Sequence, residues 1–150
     1  MLALSACCAP VLANEADGPR EAAQQREAVI EQAMSAIGLP YRYGGNSLTD
    51  FDCSGLTQWA FQAADVSLPR SLSEILKTGT PVSAEAAEPG DLLIYEWGSR
   101  KRSRLHVTIL AAPGWVIHAS PKYRKVSLTD VDRPVWRRRL VGAIRLIPSA

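Results

Sequence analysis

No stretch of this chain approaches the ~18 consecutive apolar residues of a membrane-crossing helix, so it encodes no helical membrane span. Ten glycines and ten prolines recur without a period, which excludes collagen-like and solenoid architectures. Cysteine is scarce: Cys7 and Cys8 fall in the first ten residues, leaving Cys53 alone in the rest. A disulfide framework and a four-cysteine zinc site are thereby excluded. Aromatics are only 7% of the residues and do not alternate with the basic ones. No zinc-finger or glycine-rich phosphate signature accompanies the basic stretches, and no nucleic-acid partner is expected. There are two histidines and no His-Glu-x-x-His spacing, so neither metal nor cofactor is expected. What remains is 150 residues, 47% apolar, enough to bury the core of one domain, expected to act as a monomer.

Charge is unevenly spread beneath a net +2. Residues 1–99 carry five basic and thirteen acidic side chains, whereas residues 100–150 carry twelve basic and only Asp130 and Asp132 as acids. That split points to a solvated basic face or to a surface that meets an anionic polymer, membrane or substrate. Residues 1–13, apolar and small, differ from everything after them and read as export machinery. Leu4-Ser5-Ala6-Cys7 resembles the lipobox of bacterial lipoproteins, which would make Cys7 an outer-membrane lipid anchor. Val11-Leu12-Ala13 also fits an ordinary signal cleavage site, although no positive charge precedes the apolar stretch. The expected division is a leader and linker over 1–18 and a folded domain over 19–150, exported to the periplasm or outer membrane.

Pro19 to Ile37 reads as a helix with Pro at its start and Gly38 as its stop, burying Ala22, the stem of Arg26, Val29, Ala33 and Ile37. Gly44-Gly45-Asn46 marks residues 41–52 as a loop. Cys53 to Ala64 reads as a second helix capped by Asp52, with Leu56, Trp59, Ala60 and Ala63 inward. Ser71-Leu72-Ser73-Glu74 fits a capping box opening a short helix to about Thr78. Strands follow at Leu92–Glu96, Leu105–Ala111, Trp115–Ser120 and Leu140–Ile147. Helices first and strands later, without βαβ alternation, predict an α+β fold with an antiparallel sheet.

A lone Cys53 is either a buried small hydrophobe or a reactive group. Its place at a helix start favours a thiolate, and the same free N–H groups can hold an oxyanion. Gly55 removes bulk beside it. His106 and His118 lie on the paired strands. A two-residue Pro113-Gly114 turn would send them to opposite faces. A three-residue loop, Ala112-Pro113-Gly114, with Gly114 left-handed, sets His118 opposite Thr108 and diagonal to His106. Only that register gives a continuous apolar side of Leu105, Val107, Ile109, Trp115, Ile117 and Ala119. One imidazole could then serve Cys53 as base while the other orients it; the plainer reading is two histidines on an exposed sheet face.

Tyr41-Arg42-Tyr43-Gly44-Gly45, Asp52-Cys53-Ser54-Gly55-Leu56, Leu68-Pro69-Arg70-Ser71, Pro89-Gly90-Asp91-Leu92, His106-Val107 and Ile117-His118-Ala119-Ser120 occur in order. Together, from about residue 26 onward, they resemble the NlpC-type (NlpC/p-sixty) cell-wall cysteine peptidases. The resemblance implies a papain-like α+β fold, N-terminal helices on an antiparallel sheet, and hydrolysis of peptidoglycan stem peptides. It places the nucleophile on Cys53, the base on His106, the third polar residue on His118 and an oxyanion-side hydroxyl on Tyr41. Asp52, Arg70 and Ser71 match positions near the substrate groove, although Asp52 and Ser71 also have cap roles. The implied bond is D-glutamyl–meso-diaminopimelate or the D-alanyl–diaminopimelate cross-link. A phage-tail or secretion-system hydrolase, or a non-catalytic wall-binding module, are the competing readings. Thr108 departs from the family's usual Gly or Ala and would crowd His106, and the Arg100–Arg104 insert is unusually basic.

Overall fold

The computed structural model describes residues 17–98 and 104–149. The leader, Cys7, Cys8 and all of the basic insert except Arg104 lie outside them. Helix α1 (Asp17–Ser35) precedes a two-stranded hairpin, β1 (Asn46–Ser47) with β2 (Asp50–Phe51), then α2 (Cys53–Gln62) and α3 (Leu72–Ile75). Strands β3 (Thr80–Val82), β4 (Leu92–Trp97), β5 (Arg104–Ala112), β6 (Trp115–Ser120) and β7 (Lys125–Asp130) follow. A short α4 (Pro134–Arg137) and β8 (Leu140–Arg145) complete the chain. Six strands form one antiparallel sheet in the order β3-β8-β4-β5-β6-β7, so the fold is α+β.

Alternation along the strands gives the sheet two apolar faces. Leu92, Ile94, Val107, Ile109, Ile117 and Ala119 join Val29 and Ala33 of α1 and Leu56, Ala60 and Phe61 of α2 in the main core. Leu93, Tyr95, Leu110, Val116 and Ala143 face the other way and are roofed by Val131 and Trp136. The histidine-bearing face is therefore covered, where an exposed face was the plainer sequence reading. A four-residue helix and a loop supply that cover, and neither has a periodicity to read.

Helix α1 ends two residues before Ile37, which leaves Ile37 40% exposed and Ala36 buried in its place. Ala63 is likewise exposed, while Phe61 and Ala64 are buried. Trp59 leans on Phe51 with ring centroids 5.0 Å apart. The Ser71 hydroxyl bonds the Glu74 carboxylate at 2.5 Å rather than a backbone N–H, so the capping box is not closed.

The β5–β6 register is the one the apolar pattern selects, pairing Ile109 with Ile117 and Leu110 with Val116. A register shift follows before Ala112 pairs with Trp115, and Gly114 is left-handed at φ 78°. An added Cβ there would also stand 2.6 Å from the Asp132 carboxylate.

A buried clamp fastens the ends of the domain to the sheet. Asp91, fully buried, receives Arg26 at 2.9 Å and Arg145 at 2.7 Å. Arg26 also donates to the carbonyls of Pro89, Ile147 and Pro148. Burial works to raise the Asp91 carboxyl, but Arg145, the Glu88 N–H and Arg26 hold it below its usual range. The sequence pattern assigns only the stem of Arg26 to the core; its guanidinium is in fact one of the main fastenings of α1.

Candidate active site

Cys53 opens α2 because Asp52 caps it: the Asp52 Oδ1 accepts from the Gly55 N–H at 2.7 Å. Its other oxygen accepts from Gly44 N–H at 2.9 Å and from Arg70 at 2.7 Å. Arg70 donates further to the Ser54 hydroxyl and the Gly45 carbonyl. One carboxylate thus ties the glycine loop, the helix start and the segment before α3 into a single support. Burial would raise the Asp52 carboxyl, yet these bonds keep it lowered. Gly55 serves this support more than it clears space by the sulfur, since a Cβ there would lie 2.0 Å from the Gly45 carbonyl.

The sulfur meets the sheet where two strands part. Leu110 donates its N–H to Asp91 on the β4 side, so alternate amides, Val107's among them, face β6. The β5–β6 ladder runs no further in this direction than Ile109 and Ile117, whereas β4–β5 pairing continues to Trp97 and Arg104. Past that point the Val107 N–H acts on the Cys53 thiol, as do the N–H groups of Cys53 and Ser54, each favouring the thiolate. Cys53 is half-buried and its thiol is pushed up by that burial, with the Asp52 charge adding to it. The three N–H groups pull the other way and do not prevail. A helix start alone suggests a lowered thiol; desolvation by the sheet reverses the sign.

His106 immediately precedes Val107, and its Nε2 lies 2.8 Å from Nδ1 of His118. The rings meet edge to face, with centroids 5.0 Å apart. Burial lowers His106 to about 4. His118 goes to about 3, through burial and the neighbouring His106. Both are therefore neutral imidazoles at neutral pH, beside a neutral thiol. His118 is 2% exposed and stands edge-on to Trp136 at 5.4 Å. Its Nε2 lies 3.0 Å from the Thr129 hydroxyl, which lies 3.3 Å from that of Ser127.

Tyr41 is close enough for the charges of Cys53 and Asp52 to act on it. Burial first, then those two charges, raises its phenol, and Arg104 opposes them weakly. It stays protonated and can donate. Ser71 does not join this group, because its hydroxyl is turned to Glu74. Thr108 is 1% exposed, and its hydroxyl donates to the Leu93 carbonyl of β4. Among the described residues no three His, Cys, Asp or Glu side chains converge as a metal site would require.

No strand is predicted from sequence over residues 121–139, so Thr129 and Ser127 are not among the expected site residues, whereas β7 spans Lys125–Asp130. The alternation Val126-Ser127-Leu128-Thr129 carries the period of two that would have revealed β7.

The chain is similar to several known proteins. A Mycobacterium tuberculosis chain named "Probable endopeptidase" is 36% identical over 123 residues, covering 81% of this chain and 31% of that protein. The gamma-DL-glutamyl hydrolase of Bacillus subtilis is 33% identical over 129 residues, covering 84% and 31%. This chain thus spans about a third of the length of these curated relatives. Among solved structures, the peptidoglycan hydrolase RipB of Mycobacterium tuberculosis superposes with a TM-score of 0.72 at 30% identity, over 86% of this chain and 68% of that one. The sequence model of the NlpC/P60 family matches residues 38–145, a stretch that begins just after α1 and ends with β8, and the chain belongs to that family.

Proposed function

We propose that this domain is a cysteine endopeptidase of peptidoglycan stem peptides, with Cys53 as nucleophile, His106 as base and His118 as the residue that orients it. The observation that carries this reading is the 2.8 Å contact between His106 and His118, with Val107, the next residue along, acting through its N–H on the Cys53 thiol at the start of α2.

As the sulfur attacks the amide carbon, its proton passes to His106 Nδ1, the nitrogen that His118 does not occupy. The oxyanion is stabilised by helix-start N–H groups and the protonated Tyr41 hydroxyl. Collapse breaks the C–N bond, and His106 returns the proton to the departing amine. Water, deprotonated by His106, then cleaves the thioester and regenerates the thiol. Asp52 and Arg70 hold the loop and helix start at the groove. Ser71, turned to Glu74, takes no part in these steps.

The name of the Bacillus subtilis relative favours the D-glutamyl–meso-diaminopimelate bond over the D-alanyl cross-link. On this reading the protein acts outside the cytoplasmic membrane, and an exported leader, a lipid anchor at Cys7 and a monomeric domain are parts of the same proposal. Digestion of purified murein, with mass spectrometry of the fragments, tests this. The wild type should release fragments with a new diaminopimelate amino terminus and Cys53→Ala should release none; equal release by both refutes it.

A further inference from the structure

The second imidazole has a partner of its own. His106 Nε2, His118 Nδ1 and Nε2, the Thr129 hydroxyl and the Ser127 hydroxyl form an unbroken line of contacts at 2.8, 3.0 and 3.3 Å. Each contact holds one proton, so the line can be ordered in two directions. Ordered outward, His106 carries its proton on Nε2 and gives it to His118 Nδ1, while His118 Nε2 gives its own to Thr129. Nδ1 of His106 is then a bare acceptor. Ordered inward, Thr129 donates to His118, His118 donates to His106, and His106 carries its proton on Nδ1. In that arrangement it cannot take a proton from a thiol.

We infer that Thr129 is a positioning residue, whose hydroxyl accepts from His118 and so fixes the tautomer in which His106 can act as base. Three features hold the His118–Thr129 contact in place. Ser127 offers a hydroxyl partner that can take the Thr129 proton, which leaves the Thr129 lone pairs free to accept from His118. His118 is 2% exposed and flanked edge-on by Trp136 and Tyr123, which restricts its rotation toward another partner. The register of β6 on β7 sets Val116 against Thr129 and His118 against Ser127, so the hydroxyls are held by a strand rather than a loop.

The inference rests on the peptidase reading for its effect on rate, but not for the tautomer itself. Untagged protein labelled with 15N histidine gives signals from two residues alone, because the chain has only His106 and His118. Long-range 15N–1H spectra of the wild type should show both rings protonated on Nε2; a ring protonated on Nδ1 overturns the inference without any variant. In Thr129→Val, which keeps the side-chain shape, the Nε2 pattern should be lost and kcat on a purified muropeptide should fall about 10- to 100-fold. KM should stay within about twofold, and Thr129→Ser should restore both spectrum and kcat. Wild-type spectra and kcat in Thr129→Val, or an equal loss in Thr129→Ser, contradict the role. A wild type that shows the outward order and cleaves no muropeptide refutes the peptidase reading and leaves the hydrogen-bond assignment standing.

Discussion

His106 and His118 touch ring to ring, Nε2 to Nδ1 at 2.8 Å, at the place where the ladder between their strands has ended. Beyond Ile109 and Ile117 the β5–β6 pairing does not continue, and the Val107 N–H acts on the Cys53 thiol instead. The parting of β5 from β6 is therefore the fold's contribution to the site: it frees an amide, admits a helix start and leaves two imidazoles facing one another.

Orientation through a single nitrogen predicts graded tolerance at His118. His118→Gln or His118→Asn retains a polar atom for His106 and should keep more kcat than His118→Ala, whose loss should reach about 100-fold. Steady-state rates on one muropeptide check this, and equal loss in all three variants argues against an orienting task.

Two histidines buried as neutral rings make stability depend on pH. Their folded values, about 4 and about 3, lie below the ordinary ~6.5 of the unfolded chain. Between those limits the unfolded state binds more protons, so stability is complete above ~6.5 and falls as pH drops through the window. Urea unfolding at pH 7, 6, 5 and 4 should show a steady decline. His118→Gln should remove about 1.4 kcal/mol per pH unit of the slope, one proton's worth. An unchanged slope would place His118 in water. By the same logic the acid limb of kcat/KM should lie near 4, the value of His106.

Asp91 holds two arginines from elements far apart in sequence. Asp91→Ala would strand both cations and should cost about 3–5 kcal/mol, a large fraction of a small domain's stability. Thermal melting checks this; a change below about 1 kcal/mol would mean that water replaces the clamp at little cost.

Gly55 is predicted to be intolerant for a reason other than catalysis. Gly55→Ala drives a methyl into the Gly45 carbonyl, 2.0 Å away, and the loop and helix start must separate. Destabilisation of about 1–3 kcal/mol should accompany reduced lysis. Full stability with full lysis would show the loop to be pliant.

Much of this was legible beforehand because the governing signals are local. Gly114, the Ala112-Pro113-Gly114 loop and the alternating apolar side set the β5–β6 register, and with it the meeting of His106 with His118. Asp52 before Cys53 announced the helix cap. What stayed hidden depends on contacts distant in sequence. The Arg26 guanidinium finds Asp91 and the chain end across the whole fold, and no periodicity marks that. The roof over His118 comes from Trp136 in a four-residue helix. The raised thiol of Cys53 follows from desolvation by the sheet, which position at a helix start does not reveal. Thr129 was readable in principle through the alternation of β7, but its contact with His118 needed the pairing of β6 with β7.

The most direct test of the central claim is stoichiometric alkylation. Protein treated with iodoacetamide should lose its capacity to release soluble murein fragments in step with carboxamidomethylation of Cys53, located by peptide mapping. Undiminished release from protein fully modified at Cys53 would contradict the account.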